Sequence, residues 1–147
     1  MRFVCDAMMG KLAKYLRILG FDAAYAPTSG ALDRYRTHEG DRVLLTRRKG
    51  PSAFASTVRI HSEIAREQLK EIKALIKPAV ARPSVFGRCI ECNVELVEAD
   101  KADVEPDVPE FVYHHYARFK RCPSCGRVYW EGSHTSGMEA LLEEMLS

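Results

Sequence analysis

Four of the five cysteines occur as two CxxC pairs near the C-terminal end of the chain, in the stretches RCIECNVEL and RCPSCGRVYW. A CxxC on a tight turn brings two thiolates to one ion, and two such turns complete the tetrahedral site that structural zinc prefers. The 29 residues between the pairs, 93–121, add little cost because loop closure grows slowly with length. The pattern predicts a structural zinc site formed by Cys89, Cys92, Cys122 and Cys125.

The thiols have three other interpretations: disulfides, an iron–sulfur site, or unrelated buried cysteines. The N-terminal stretch MRFVCDAMMGKLAKYLRILG is interrupted by charges, so it does not have the pattern of a signal peptide. Paired CxxC units without a secretory signal favour metal over disulfides. Gly126 directly follows the second CxxC pair. In a zinc knuckle, which is a CxxC turn that holds the ion, the residue at this place needs a positive φ, and glycine adopts it readily. Cys5 stands alone and is expected to be a small buried residue.

A second group of chemically capable residues lies at the ends of two predicted strands. Asp6 ends the first strand, and carboxylates at the carboxyl edge of a parallel sheet suit Mg²⁺ or Mn²⁺. The alternative is an N-cap or turn role. Thr46 ends another strand and is followed by Arg47, Arg48 and Lys49, which can meet phosphate there. The alternative for this loop is a solvated basic surface.

The elements that must position these residues alternate along the first half of the chain. Apolar periodicity predicts strands at 2–6, 22–27, 42–46 and 57–62, and helices at 10–19, 31–40 and 63–77. This order implies right-handed crossovers and a mainly parallel sheet. Residues 77–87 are proline-rich and predict a linker. We therefore predict an α/β domain over 1–80 and a small zinc module over 81–147, ending in a helix at 137–146.

The composition of the 147 residues is that of a soluble globular protein. Apolar residues make up 46% and charged residues 29%, and the net charge is +2. No run of eighteen apolar residues exists, so no membrane span is expected. The charge alone does not argue for nucleic acid. The expected location is cytoplasmic, and no feature of the sequence specifies an oligomeric state.

Several blocks in order along the chain carry a family resemblance. The stretches MRFVCDAMMGKLAKYLRILGFDAAYAP, RVLLTR, CIECN and FKRCPSCGRVYWEGSH resemble the mut-seven C-terminal ribonuclease family. The resemblance implies a PIN-like three-layer domain joined to a zinc ribbon. It also implies acids at one sheet edge that hold one or two divalent ions and activate water for phosphodiester cleavage. Asp6 matches the first of those acids, and Leu12, Leu16 and Asp22 match the structural framework.

The sequence departs from the family pattern at two acids. The acid expected directly after LLTR is replaced by Arg48. The acid expected early in the preceding helix has Asp33 as its nearest substitute, about one turn away, and Glu39 as a weaker one. At about 4 Å an arginine repels Mg²⁺ by several kcal/mol, and it is a natural salt-bridge partner for Asp6. We expect weakened metal binding at a site that can still hold phosphate.

The resulting prediction is a protein that engages RNA on a metal-dependent ribonuclease scaffold. If catalysis survives, Asp6, Asp33 and Thr46 carry it, and Arg47, Arg48 and Lys49 contact phosphate. Around the knuckle, Arg118, Lys120, Arg121 and Arg127 form a candidate backbone-binding patch. Tyr129 and Trp130 can stack on bases or pack on the knuckle. His114, His115 and His134 are candidate acids, bases or extra ligands, with surface or capping roles as the alternative. Two alternatives remain: an inactive RNA-binding or ribosome-associated module, and an adaptor whose ribbon docks a partner protein.

Overall fold

Strands and helices alternate through the N-terminal part of the chain, as the periodicity predicts. The computed structural model describes residues 1–130 and 139–146. Its first elements are β1 (Arg2–Cys5), α1 (Gly10–Ile18), β2 (Asp22–Tyr25), α2 (Ser29–His38), β3 (Val43–Thr46), β4 (Ser56–Arg59), α3 (Ala65–Glu71) and α4 (Lys73–Ile76).

The four strands form one parallel sheet in the order β2-β1-β3-β4. In register, Val4 pairs with Ala24 on one side and Leu44 on the other. β1 connects outward to β2 through α1, and the chain then crosses back over β1 to β3 through α2. The carboxyl ends of β1 and β3 therefore meet at a topological switch point, where open α/β sheets bind ligands.

Side chains that alternate along the strands divide the core into two layers. Phe3 and Leu45 belong to a large cluster with α1, α3 and the C-terminal helix, whereas Val4 and Leu44 pack on the α2 side with Phe54. Because successive strand residues face opposite sides of a sheet, this alternation covers both faces. The predicted three-layer α/β domain with a mainly parallel sheet is confirmed.

Two of the predicted helices, 31–40 and 63–77, differ from the structure by more than one residue. α2 begins two residues early because the Thr28 side chain caps it, accepting a hydrogen bond from the Ala31 N–H at 3.1 Å. The helix predicted over 63–77 is instead broken at Ile72, whose φ and ψ are −103° and 8°. The break leaves Leu69, Ile72 and Ile76 all buried in the main core.

The segment predicted as a linker, 77–87, packs against the α/β core. The Phe86 N–H donates to the Ile18 carbonyl at 2.8 Å, and Val80 and Val85 contact the main cluster. Gly20 follows the end of α1 with φ +95°, and a Cβ there would lie 2.5 Å from the Ser84 carbonyl oxygen. The chain approaches so closely that only glycine fits. The division at residue 80 stays a prediction.

The C-terminal part is built on a small antiparallel sheet. Its elements are β5 (Val97–Ala99), α5 (Lys101–Val104), α6 (Glu110–His115), β6 (Phe119–Arg121), β7 (Val128–Trp130) and α7 (Glu139–Leu146), with the strands in the order β5-β6-β7. Leu142 and Met145 of α7 are buried in the main core. The start of the helix predicted at 137–146 lies outside the described residues. None of the helices described has the length and apolar character to cross a membrane.

The first knuckle, the CxxC turn at residues 89–92 with the Asn93 that follows it, is hydrogen-bonded to the outer edge of strand β2. Asn93 accepts a hydrogen bond from the Ala23 N–H at 3.0 Å and donates from Nδ2 to Asp22 Oδ1 at 2.7 Å. The buried Arg17 donates to the Ala23 carbonyl at 2.8 Å and to the Ile90 carbonyl at 2.7 Å. The backbone groups of Ala23 on the open side of the sheet are thus satisfied by the knuckle and by α1.

Replacing Asn93 tests how much this attachment stabilises the fold. Asn93→Gly keeps the left-handed backbone (φ +60°) but leaves the Ala23 N–H and Asp22 without the amide. We expect the free energy of unfolding to fall by about 1–3 kcal/mol, measured by urea denaturation. Zinc content is the control and should not change. An unchanged urea midpoint would contradict the assigned role.

Acid should weaken the same attachment through Asp22. Partial burial pushes the pKa of Asp22 upward, but hydrogen bonds from Arg42 and Asn93 outweigh it and hold this pKa below its ordinary 3.8. The resulting stabilisation is complete above the unfolded pKa and is lost as the pH falls through the lower folded pKa. We expect the stability advantage of the native chain over Asp22→Asn to shrink on acidification below about pH 4. Denaturation midpoints at several pH values measure it; a constant difference would contradict this reading.

Candidate metal centre and candidate nucleic-acid cleft

The four cysteines of the two CxxC pairs converge, as their spacing predicts. Their Sγ atoms all lie within 4.8 Å of one another, and those of Cys89 and Cys125 are 3.9 Å apart. A tetrahedral ion with zinc–sulfur bonds of about 2.3 Å places its sulfurs about 3.8 Å apart. The donor set and its spacing therefore fit a zinc ion with four protein ligands.

The two knuckles repeat the same backbone geometry. Asn93 and Gly126 follow the second cysteine of each pair with φ of +60° and +78°. Their N–H groups donate to the carbonyls of Cys89 and Cys122, each at 2.9 Å. Positive φ at Gly126 was predicted, whereas the matching role of Asn93 was not. The CxxC-N sequence signals it, because asparagine tolerates the left-handed region better than most residues.

The charges of the cysteine thiolates in this cluster favour binding of a cation. Burial raises the pKa of Cys89, but hydrogen bonds from the Tyr129 hydroxyl, 3.1 Å away, and from backbone N–H groups outweigh it and lower this pKa to about 7. The pKa of Cys92 is raised to about 11, chiefly by its hydrogen bond with Cys125. Four thiolates this close repel one another, and a divalent cation removes the repulsion.

Cys5 serves as an internal comparison for the other four cysteines. It is fully buried on β1, as predicted, and burial raises its pKa to about 12.

We expect the purified chain to bind one zinc ion. We expect Cys92→Ser to lose the metal and to lower the thermal stability of the C-terminal part, since such sites supply folding free energy. Cys5→Ala should keep the metal. Elemental analysis with thermal unfolding checks both variants, and equal zinc in both would contradict the assignment.

The second site lies where β1 and β3 end side by side. Asp6 follows β1, is only 2% exposed, and donates its N–H to the Leu45 carbonyl. Thr46 ends β3 and donates its hydroxyl to Asp6 Oδ2. The same hydroxyl accepts the Arg48 N–H at 3.0 Å. The parallel pairing of the two strands thus brings the predicted acid and the predicted hydroxyl into direct contact.

Arg48 extends back over this carboxylate. Its Nε lies 4.0 Å from Asp6 Oδ2, and its side chain is 62% exposed. Asp6 Oδ1 is buried and has no hydrogen-bond partner within the described residues. Both residues line a cleft of about 230 Å³ between α2 and the loop after β3. Arg48 thus lies beside Asp6, the carboxylate that the family resemblance identifies as a ligand of a divalent metal ion.

Positive charge dominates this cleft. Its ionisable lining residues are two acids and four cations: Asp6, Asp33, Arg36, Arg48, Lys49 and Arg59. Within residues 1–130 and 139–146, the only group of three or more metal-ligating side chains is the cysteine cluster. Two carboxylates among four cations fit a divalent cation poorly, because each added positive charge repels the ion.

Sequence reasoning missed two of the cleft's cations. Arg36 lies one turn after Asp33 on α2, with its Nε 3.7 Å from the Asp33 carboxylate. Arg59 ends β4 and donates to the carbonyls of Arg48 and Gly50 across the loop. The helical spacing signals Arg36, but no local pattern reveals that Arg59 faces the loop after β3.

Other predicted site residues lie outside the cleft. Arg47 faces away, reaching the His61 carbonyl at 3.4 Å and Glu63 at 3.5 Å. Glu39 lies at the amino end of the sheet, where Arg2 and Arg42 contact its carboxylate, each at 3.0 Å. It therefore does not replace the missing acid.

The candidate RNA-binding residues of the C-terminal part differ in their exposure and in the contacts they already make within the protein. Arg121 donates to the Gly126 carbonyl at 2.7 Å and to Asp107 at 2.8 Å, so its guanidinium is used within the ribbon. Arg127 is exposed beside the cysteine cluster. Tyr129 is buried against that cluster, so of its two predicted roles the structure agrees with packing on the knuckle and not with stacking on bases. His134 lies outside the described residues.

A comparison with known families agrees with this architecture. The model of the Mut7-C RNAse domain family matches residues 1–142. The chain therefore belongs to that family, a class of ribonuclease-like domains, and the resemblance seen in the sequence is confirmed. Searches of curated proteins and of solved structures gave no match.

Proposed function

We propose that this chain binds RNA through the cleft at Asp6 and retains at most weak metal-dependent cleavage. The observation that carries the proposal is the position of Arg48, whose guanidinium lies 4.0 Å from the buried carboxylate in a cleft lined by four cations. Family membership supports RNA as the polymer. The charge balance favours a bound phosphate over a bound divalent cation.

The residues of the cleft have separate roles in this proposal. Arg48 and Lys49 bind phosphate. Asp6 is the remaining ligand for any divalent ion, with Asp33 as its nearest acidic neighbour in the lining. Thr46 holds the Asp6 carboxylate in place and is available to orient a substrate group. Arg127 is an outlying phosphate contact, and the cytoplasmic location stays a prediction from the sequence.

Exchanging the charge at position 48 tests the proposed loss of cleavage. Arg48→Asp restores an acid beside Asp6, and we expect Mn²⁺-dependent cleavage of single-stranded RNA to rise by about tenfold or more, since several kcal/mol of repulsion is removed. Adding Asp6→Ala should abolish the gain. Gel assays with a labelled oligoribonucleotide measure both.

Arg47→Asp is the matched control for that experiment. It makes the same charge change one residue away, on a side chain that faces His61 and Glu63 instead of the cleft. It should not raise cleavage. The proposal fails if the native chain already cleaves efficiently and Arg48→Ala leaves the rate unchanged.

The salt dependence of RNA affinity separates RNA binding from the adaptor alternative. Contacts to about three phosphates of a single strand predict a slope near −2 in log affinity against log salt. An adaptor whose ribbon docks a protein has no reason to show such a slope. Fluorescence anisotropy over a salt series measures it.

A further inference from the structure

We propose that the cleft binds a phosphomonoester dianion, the terminal phosphate of an RNA end, without needing a divalent ion. This inference rests on the proposed function and names the part of the RNA that the site recognises. It follows from the cleft's charge, from the way its cations are held, and from its unpartnered carboxylate oxygen.

The charge of the lining matches a terminal phosphate better than an internal one. Four cations and two carboxylates leave a net charge of +2. A phosphodiester inside a strand carries one negative charge, whereas a phosphomonoester carries about −1.5 to −2 at neutral pH. The dianion is therefore the phosphate form that neutralises the cleft.

The loop that carries two of the cations is held in place. Arg59 donates to the carbonyls of Arg48 and Gly50, and Gly50 turns the chain with φ +105°. Among the described residues, the Arg48 side chain contacts only Asp6, with its Nε 4.0 Å from the carboxylate, and the Lys49 side chain makes no hydrogen bond or ion pair. Their remaining N–H groups can donate to phosphate oxygens with little loss of loop entropy.

The rest of the cleft suits a nucleotide end rather than a free anion. Leu32, Leu44 and Phe54 give it an apolar wall against which a sugar or base can pack. Asp6 lines the cleft with Oδ1 unpartnered, and a carboxylate oxygen only accepts hydrogen bonds. A terminal ribose supplies a hydroxyl donor for such an oxygen in addition to the phosphate group. A volume of about 230 Å³ accommodates one terminal group rather than several nucleotides.

Three RNAs of one sequence test this inference with the full-length, zinc-loaded chain. They carry a 5′-phosphate, a 3′-phosphate or two hydroxyl ends, and anisotropy measures affinity without added Mg²⁺ or Mn²⁺. We expect one phosphorylated RNA to bind about tenfold tighter than the hydroxyl-ended RNA, the size typical of a charge-assisted contact. Arg48→Ala should abolish the preference, and Arg47→Ala should keep it.

The outcomes separate this inference from the proposed function. Equal affinity for all three RNAs would overturn the terminal phosphate and leave RNA binding intact. No affinity for any of them would remove both. If inorganic phosphate or a ribonucleoside monophosphate competes as well as the phosphorylated RNA, the RNA end is not the source of the phosphate. A preference that appears only with Mn²⁺ would also overturn the inference.

Discussion

The outer edge of strand β2 is the constraint on which the arrangement of the two parts depends. An edge strand presents unpaired N–H and C=O groups, which must be covered or left to water. Here the Ala23 groups are taken by Asn93 and Arg17, and Arg17 also holds the Ile90 carbonyl of the first knuckle. Because Asn93 has its left-handed conformation directly after a cysteine of the cluster, the same few residues set the geometry of the four-cysteine cluster and cover the β2 edge.

The carboxyl ends of β1 and β3 in the open sheet place Asp6 and Thr46 in the cleft, and the charged residues around them set its electrostatic character. A carboxylate that is only 2% exposed needs partners, and Asp6 has the Thr46 hydroxyl at one oxygen and none within the described residues at the other. The cations around it come from α2, from the loop after β3 and from β4. In a ribonuclease-like domain this edge is expected to gather acids. In this chain it gathers guanidinium and ammonium groups, and the proposed binding of phosphate rests on that charge.

Sequence pattern predicted the features that depend on spacing. The cysteine cluster follows from two CxxC units, and the contact between Asp6 and Thr46 follows from both lying at the carboxyl ends of strands. Features that depend on tertiary contacts of particular segments and side chains were missed. The segment 77–87 looks like a linker in composition but packs on the core, and Arg121 looks free but is bound to Gly126 and Asp107. Periodicity locates elements, whereas Arg59 and Asn93 act through tertiary contacts that no local window contains.

The adjacent residues Arg47 and Arg48 separate the effect of position from the effect of net charge. Both carry one positive charge, and they follow the same strand. Arg47 contacts His61 and Glu63, whereas Arg48 lines the cleft. The Arg48 guanidinium interacts with the Asp6 carboxylate because its Nε lies 4.0 Å away, whereas the Arg47 guanidinium is directed to Glu63. Of the two arginines in TRRKG, only Arg48 therefore adds its charge to the cleft, and the overall net charge of +2 carries no information about this difference.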